Sequence, residues 1–217
     1  MPPDCTIEDD CAAEAAGPVC GIDEAGRGPW AGPVVAAAVI LDRAAIPDGI
    51  DDSKQLSPEA REALFEAILG SARVGVGIGS VEEIETLNIL RANDLAMARA
   101  LEALGRAPAV ALVDGSWKPK TISIPVRTIV GGDALSLSIA AASIIAKVTR
   151  DRIMRRLDGE CPGYGWITNV GYGTPEHRSA LRRLGITAHH RRTWAPVLGA
   201  LYGRAEEARH EESAITT

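Results

Sequence analysis

The sequence predicts an α/β fold, a mixed five-stranded sheet flanked by helices on both faces, with a small helical lobe toward the C-terminal end. Three observations carry this. Two apolar β-type runs, 19–23 and 32–41, stand close together and are joined by a glycine-rich turn. After them, apolar strands alternate with helical segments, several of which open on Ser or Thr followed by Pro or Glu. Three of the strands run into aspartate, at the kind of sheet end where α/β folds open a binding crevice.

Taken in order, residues 1–17 read as a flexible acidic leader, 18–200 as one domain including its C-terminal helical part, and 201–217 as a helix end with a disordered tail. Strands 19–23 and 32–41 form an antiparallel hairpin. A loop, 42–56, precedes a helix with Ser57 as N-cap, Pro58 in its first position and an apolar stripe through Leu69. Run 72–79 alternates Val, Val and Ile with Gly, a strand against which something packs closely. Ser80 and Glu83 make a capping box for a short helix. A longer helix, 88–104, offers Leu90, Leu95, Met97, Leu101 and Leu104 as its apolar face. Strands 109–113 and 127–130 follow, then a helix over 136–157 whose Ala140, Ala141, Ala142 and Ser143 permit close packing. A glycine-rich loop, 161–173, leads to a helix capped by Thr174 with Pro175 and Glu176, and a last helix is expected over 195–211.

The composition narrows the function. At 217 residues and 46% hydrophobic, the chain can bury a sizeable core, and with 4% aromatics that core must be built from Ala, Val, Ile and Leu. No apolar run is long enough to span a bilayer and the N-terminus lacks signal-peptide character, so a cytoplasmic protein is expected. Cysteines 5, 11, 20 and 161 form no CxxC pair and have no histidine at zinc spacing. Net charge is −6, yet unevenly spread: residues 1–26 carry seven acids and no Lys or Arg, while 147–192 carry ten Lys or Arg against four acids. A basic C-terminal half opposite a carboxylate-rich centre suits an enzyme acting on phosphates.

The chemistry concentrates at the strand ends. Ile22-Asp23, Val113-Asp114 and Ile129-Val130-Gly131-Gly132-Asp133 each carry an acid off a strand. A single such Asp often begins a turn. If the first and fourth strands are neighbours, Asp23 and Asp114 meet, and carboxylates held close repel unless a cation neutralises them. Oxygen-only ligands suit Mg²⁺ or Mn²⁺. Strand alternation sends Asp23 and Glu24 to opposite faces, and the glycines of Gly26-Arg27-Gly28 let backbone approach a ligand.

These residues and their neighbours resemble bacterial ribonuclease HII, the type 2 ribonuclease H family, from Val19 to about Leu198. The matching segments are GIDEAGRGPWAGPVVAAAVIL, DSKQLS, LNILRANDLAM, VDG, GGD, SIAAASIIAKVTRD, GYGTPEH and HHRRTW. The resemblance implies the ribonuclease H fold. It implies that Asp23, Glu24, Asp114 and Asp133 are the catalytic, metal-holding acids, with Mg²⁺ or Mn²⁺ as cofactor. Gly26, Arg27 and Gly28 correspond to the element whose backbone contacts a ribonucleotide 2′-hydroxyl, the group that separates RNA from DNA. Tyr172 matches the tyrosine that stacks on the following sugar. Lys54, Ser143 and Lys147 fall in matched motifs as substrate contacts; Arg150, His177 and Arg191 fall there too, and for these phosphate contact and a structural role both stand open. His189, His190 and Asp151 read as surface charge.

The implied activity is hydrolysis of the RNA strand of RNA–DNA hybrids and cutting 5′ of single ribonucleotides in duplex DNA by a metal-activated water. The products carry 5′-phosphate and 3′-hydroxyl ends, which serves ribonucleotide excision repair and primer removal. Nucleic acid is the expected partner, with no membrane, and a monomer is expected. The chain departs from many family members at Gln55 and at Asn169-Val170, where Lys and His-Lys are common, so phosphate contacts are lost. Two rivals remain. One is a DNA nuclease or strand-transfer enzyme on the same carboxylates; the other is a non-catalytic nucleic-acid-binding module.

Overall fold

The computed structural model describes residues 2–200. Strands β1 (Val19–Ala25), β2 (Val34–Ile40), β3 (Arg73–Gly79), β4 (Val110–Asp114) and β5 (Val126–Ile129) form one sheet in the order β3-β2-β1-β4-β5. β2 pairs antiparallel with both β1 and β3, whereas β4 runs parallel to β1 and to β5. The mixed sheet and the first hairpin are as the sequence predicts.

Helices cover both faces. On one side α4 (Ile89–Ala103) packs Ala92, Ala96, Met97 and Ala100 against Cys20, Ile22, Ala36 and Val113. Of the face expected from the sequence, Met97 and Leu104 are buried here and Leu101 packs against them, whereas Leu90 is exposed and an alanine row supplies the contact with β3. The reason is backbone proximity. A Cβ at Gly75 or Gly77 would lie 2.0 Å from Ala100 O or Ala96 O, so glycines on the strand and alanines on the helix bring the two into contact. On the other side α5 (Leu137–Glu160) and α2 (Pro58–Ser71) bury Ala140, Ala141, Ala142, Ile144, Ile145 and Phe65 against Ala37 and Val39. α2 has the expected cap, with Ser57 Oγ accepting from Ala60 N, and α3 (Val81–Leu87) has its capping box.

The flexible leader expected at 1–17 requires correction. Residues Thr6–Ala15 form helix α1, whose Cys11, with Ile7, Ala12 and Ala15, covers Val19, Val110, Leu112 and Ile139. Its acidic composition suggested solvation, but Glu8 hydrogen-bonds Ser136 across a separation of 128 residues, a partner that local pattern cannot reveal.

The C-terminal lobe is a separate apolar cluster. Met154, Leu157, Trp166, Leu181 and Val197 from α5, α6 (Trp166–Asn169), α7 (Pro175–Leu184) and the helical residues 195–200 pack with Trp30 of the β1–β2 connection and Tyr164 of the loop after α5. α6 lies within the stretch expected as loop. The remainder of the helix expected over 195–211 lies outside the described residues.

Candidate active site

Parallel pairing aligns Ile22 with Val113, so the next residues, Asp23 and Asp114, leave adjacent strands side by side. Both project toward the α5 face, because alternation assigns their neighbours Ile22 and Val113 to the α4 face. Asp133 arrives from a 3₁₀ turn (Gly132–Ala134) between β5 and α5, and Gly132 N donates to Asp114 Oδ1 at 2.7 Å. Asp23, Asp114 and Asp133 each place a ligand atom within 4.8 Å of the others. They are the one such cluster among the described residues.

Glu24 does not join them. It turns to the α4 face, where its Oε1 accepts from Arg27 Nη1 at 3.1 Å and Asn93 of α4 also bonds it. The sequence places four acids here; three offer ligand atoms within 4.8 Å of one another, while Glu24, leaving the other face of β1, borders the same cavity and feels the charge of Asp114.

The electrostatics follow from crowding. Burial raises the Asp23 pKa well above the carboxylate range, and the charges of Glu24 and Asp114 add to it. Asp114 is raised by burial and then by Asp133. Burial raises Glu24 as well, with Arg27 partly opposing. Asp23, Asp114 and Asp133, held close together and offering only oxygen, fit a hard divalent cation of the Mg²⁺ or Mn²⁺ type.

All the predicted site residues except Asp133 line one cavity of about 420 Å³, and Lys54 links Asp133 to it. A larger cavity, about 720 Å³, lies at the far end of β1 among Glu8, Arg43, Arg73 and Arg106, away from the acid cluster. The lining side chains differ in character. Lys54, 71% exposed, donates to Asp133 Oδ2 at 2.6 Å. Burial works against its charge, but Asp133 outweighs burial and raises the ammonium pKa. Its loop is tied down by Ser53 N donating to Ser143 Oγ at 3.3 Å and by Arg61 Nη1 donating to Ser53 O and Leu56 O, each at 2.6 Å. Ser143 is therefore a buried support for the Lys54 loop. Lys147 Nζ is held 2.7 Å from both oxygens of Asp151, which is a half-buried partner and not the surface charge expected.

Gly26 takes φ +97°, and a Cβ there would lie 2.0 Å from Arg150 Nε, so neither the conformation nor the space admits a side chain. Two buried arginines hold this turn from below. Arg191 donates to Gly26 O, to Arg27 O at 2.9 Å and to Gly32 O at 2.9 Å. Arg150 donates to Pro33 O at 3.0 Å, Ala31 O at 3.1 Å and Val170 O at 2.9 Å. Burial lowers their pKa to about 9 and about 10, so both remain cations at neutral pH. Of the two roles left open by the sequence, burial and the carbonyls on their donors favour the structural one, although Arg150 also borders the cavity.

His190 is likewise corrected. It is fully buried, its Nε2 lies 3.1 Å from His177 Nε2, and burial with its histidine neighbours drives its pKa down to about 3. His177 Nδ1 contacts Tyr172 O at 2.9 Å, so the pair fixes the backbone that presents Tyr172. Asn169, at one departure from the family pattern, bonds Tyr164 O and Gly171 N, both at 2.8 Å, and shapes the same loop. Tyr172 itself is 48% exposed, with its ring edge 3.5 Å from where a Cβ of Gly28 would stand.

Comparison with known proteins agrees with this geometry. The family model described as Ribonuclease HII matches residues 20–197. A ribonuclease HII of Paracoccus denitrificans is 54% identical over 195 residues, covering 90% of this chain and 93% of its own. One from Rhizorhabdus wittichii is 60% identical over 180 residues, covering 83% and 89%. Among solved structures, ribonuclease H2 from Pyrococcus horikoshii OT3 superposes with a TM-score of 0.73 at 29% identity, covering 85% of this chain and 97% of that one. Ribonuclease HII in a complex with PCNA from Archaeoglobus fulgidus gives 0.70 at 31%, covering 82% and 95%. Sequence, fold and carboxylate cluster thus agree, and the chain belongs to the ribonuclease HII family, a nuclease of ribonuclease H type.

Proposed function

We propose that this chain hydrolyses the RNA strand of RNA–DNA hybrids and cuts 5′ of a single ribonucleotide embedded in duplex DNA, leaving 5′-phosphate and 3′-hydroxyl ends. The observation that carries the reading is one cavity holding a carboxylate cluster beside the Gly26–Gly28 turn and Tyr172. Asp23, Asp114 and Asp133 hold the divalent cation, Mg²⁺ or Mn²⁺, and Glu24 completes the catalytic acids from the opposite face of β1. The ion supplies an activated water and neutralises charge at the scissile phosphate.

The protein's own groups select and align the substrate. The Gly26-Arg27-Gly28 backbone, locked by Arg191 and Arg150, meets the 2′-hydroxyl. Tyr172 offers its exposed ring to the next sugar. Lys54 and Lys147 face the phosphate backbone, which fixes register without reading sequence. The reading takes the enzyme to act as a monomer. No helix among the described residues is long and apolar enough to cross a membrane, and the reading places the enzyme in the cytoplasm with its duplex substrate.

A panel of three labelled duplexes tests this: a long hybrid, a DNA duplex with one ribonucleotide, and all-DNA. Cutting of the first two alone, with 3′-hydroxyl ends, is expected. Cutting of the all-DNA duplex would favour a general DNA nuclease on the same carboxylates.

A further inference from the structure

Helix α1 and the residues before it precede the stretch covered by the family model, yet they contact the end of the loop that carries Asp133. Asp4 lies beside Ser136 as a parallel bridge: its N–H donates to Leu135 O at 3.4 Å and its carbonyl accepts from Leu137 N at 3.0 Å. One turn on, Glu8 Oε1 accepts from Ser136 Oγ at 2.6 Å and from Ser138 N at 2.8 Å. These donors open α5, where the helix dipole favours an anion. Glu8 is 7% exposed, and its Oε2 is buried without a hydrogen-bond partner, a costly placement for an acid of an N-terminal segment.

What Glu8 grips is the far end of the loop that carries Asp133. Ser136 N donates to Gly132 O at 2.8 Å, and Gly132 N donates to Asp114 Oδ1 at 2.7 Å, so Asp133 sits between two ties. Within the turn, Ala134 N donates to Gly131 O at 3.1 Å and Leu135 N to Gly132 O at 3.0 Å, bonds that shape it without tying it to the rest of the fold. Gly131 and Gly132 offer no side chains, Gly131 has φ +67°, and Asp133's side-chain tie is to the exposed Lys54.

We propose that Asp4 and Glu8 form a brace that fixes loop 131–136, so that Asp133 is preset at coordinating distance from Asp23 and Asp114. Glu8 is then a positioning residue for divalent-ion binding, acting through Ser136 and Ser138. The proposal rests on the metal-site reading above. Outer partners of this kind orient metal ligands, and their loss weakens ion affinity without removing a ligand.

The test measures Mn²⁺ binding by calorimetry, amide exchange over residues 131–138 in metal-free protein, and the Mn²⁺ dependence of cleavage. Glu8→Ala should bind Mn²⁺ about tenfold more weakly and exchange faster at 133–138. Its kcat at saturating Mn²⁺ should stay within about twofold of the parent. Glu8→Gln, which keeps the accepting oxygen, should stay near the parent. If Glu8→Ala folds poorly, Ser136→Ala, which removes one of the two donors to Glu8, should show the same direction. Unchanged ion affinity and exchange in Glu8→Ala, with only a lowered melting temperature, would overturn the brace and leave the metal site standing. No Mn²⁺ binding by the unaltered protein would overturn the metal-site reading, and the brace with it.

Discussion

Lys54 Nζ stands 2.6 Å from Asp133 Oδ2, joining a loop before α2 to the turn before α5 across 79 residues of sequence. The lysine is exposed while the aspartate is buried, so the pair spans from solvent to the acid cluster. A cation there tempers the repulsion among the acids, and in the proposed function it is the group that meets the phosphate backbone. Lys54→Ala should lower kcat/KM by about tenfold and reduce the slope of log affinity against log salt by about one. Binding titrations at several salt concentrations check the second effect separately from the first.

Asp23, a catalytic acid in the proposed function, is placed where it opposes folding. Burial and two neighbouring carboxylates disfavour its charged form. Asp23→Asn should abolish cleavage and stabilise the metal-free protein by about 1 kcal/mol, roughly 2–4 °C in melting temperature for a chain of this size. Calorimetric melts in chelator decide this.

The same crowding sets the pH dependence. Asp23, Glu24 and Asp114 have folded pKa values raised above the ordinary carboxylate range. Their contribution to stability is therefore full below that range and is lost as pH rises through the raised folded values. Ion binding acts on the deprotonated acids, so the rise in melting temperature given by Mg²⁺ or Mn²⁺ should be larger at about pH 8 than at about pH 5.5, with proton release on binding. Melts with and without metal at the two pH values read it out.

Arg191 ties the C-terminal lobe to the Gly26–Gly28 turn through buried carbonyls. Arg191→Ala leaves those acceptors unpaired and should cost more than about 3 kcal/mol. Arg191→Lys cannot reach them all with one ammonium and should fold with reduced preference for a ribonucleotide over a deoxyribonucleotide. Urea unfolding and paired substrates measure the two effects.

The sheet was legible because its strands are short apolar runs bounded by Gly and Asp, and the Asp23–Asp114 meeting required only that β1 and β4 be neighbours. Alternation along β1 correctly separated Asp23 from Glu24. What stayed hidden depends on distant partners. The sequence left the roles of Arg150 and Arg191 open and made His190 a surface charge, but tertiary carbonyls and a second histidine bury them. α1 reads as a solvated acidic segment until Ser136 and Ser138 supply donors for Glu8. The apolar face of α4 was legible in Met97, Leu101 and Leu104 but not in its alanine row, which the glycines of β3 select.

The most direct measurement is cleavage of a labelled DNA duplex carrying one ribonucleotide, beside an all-DNA control. It is run with Mg²⁺, Mn²⁺ or chelator, with Asp114→Asn in parallel. Metal-dependent cutting 5′ of the ribonucleotide, absent from the control and lost in Asp114→Asn, is the predicted result. Equal cutting of both duplexes, or cutting that persists in Asp114→Asn, would contradict the assignment of the carboxylate cluster and the Gly26–Gly28 turn.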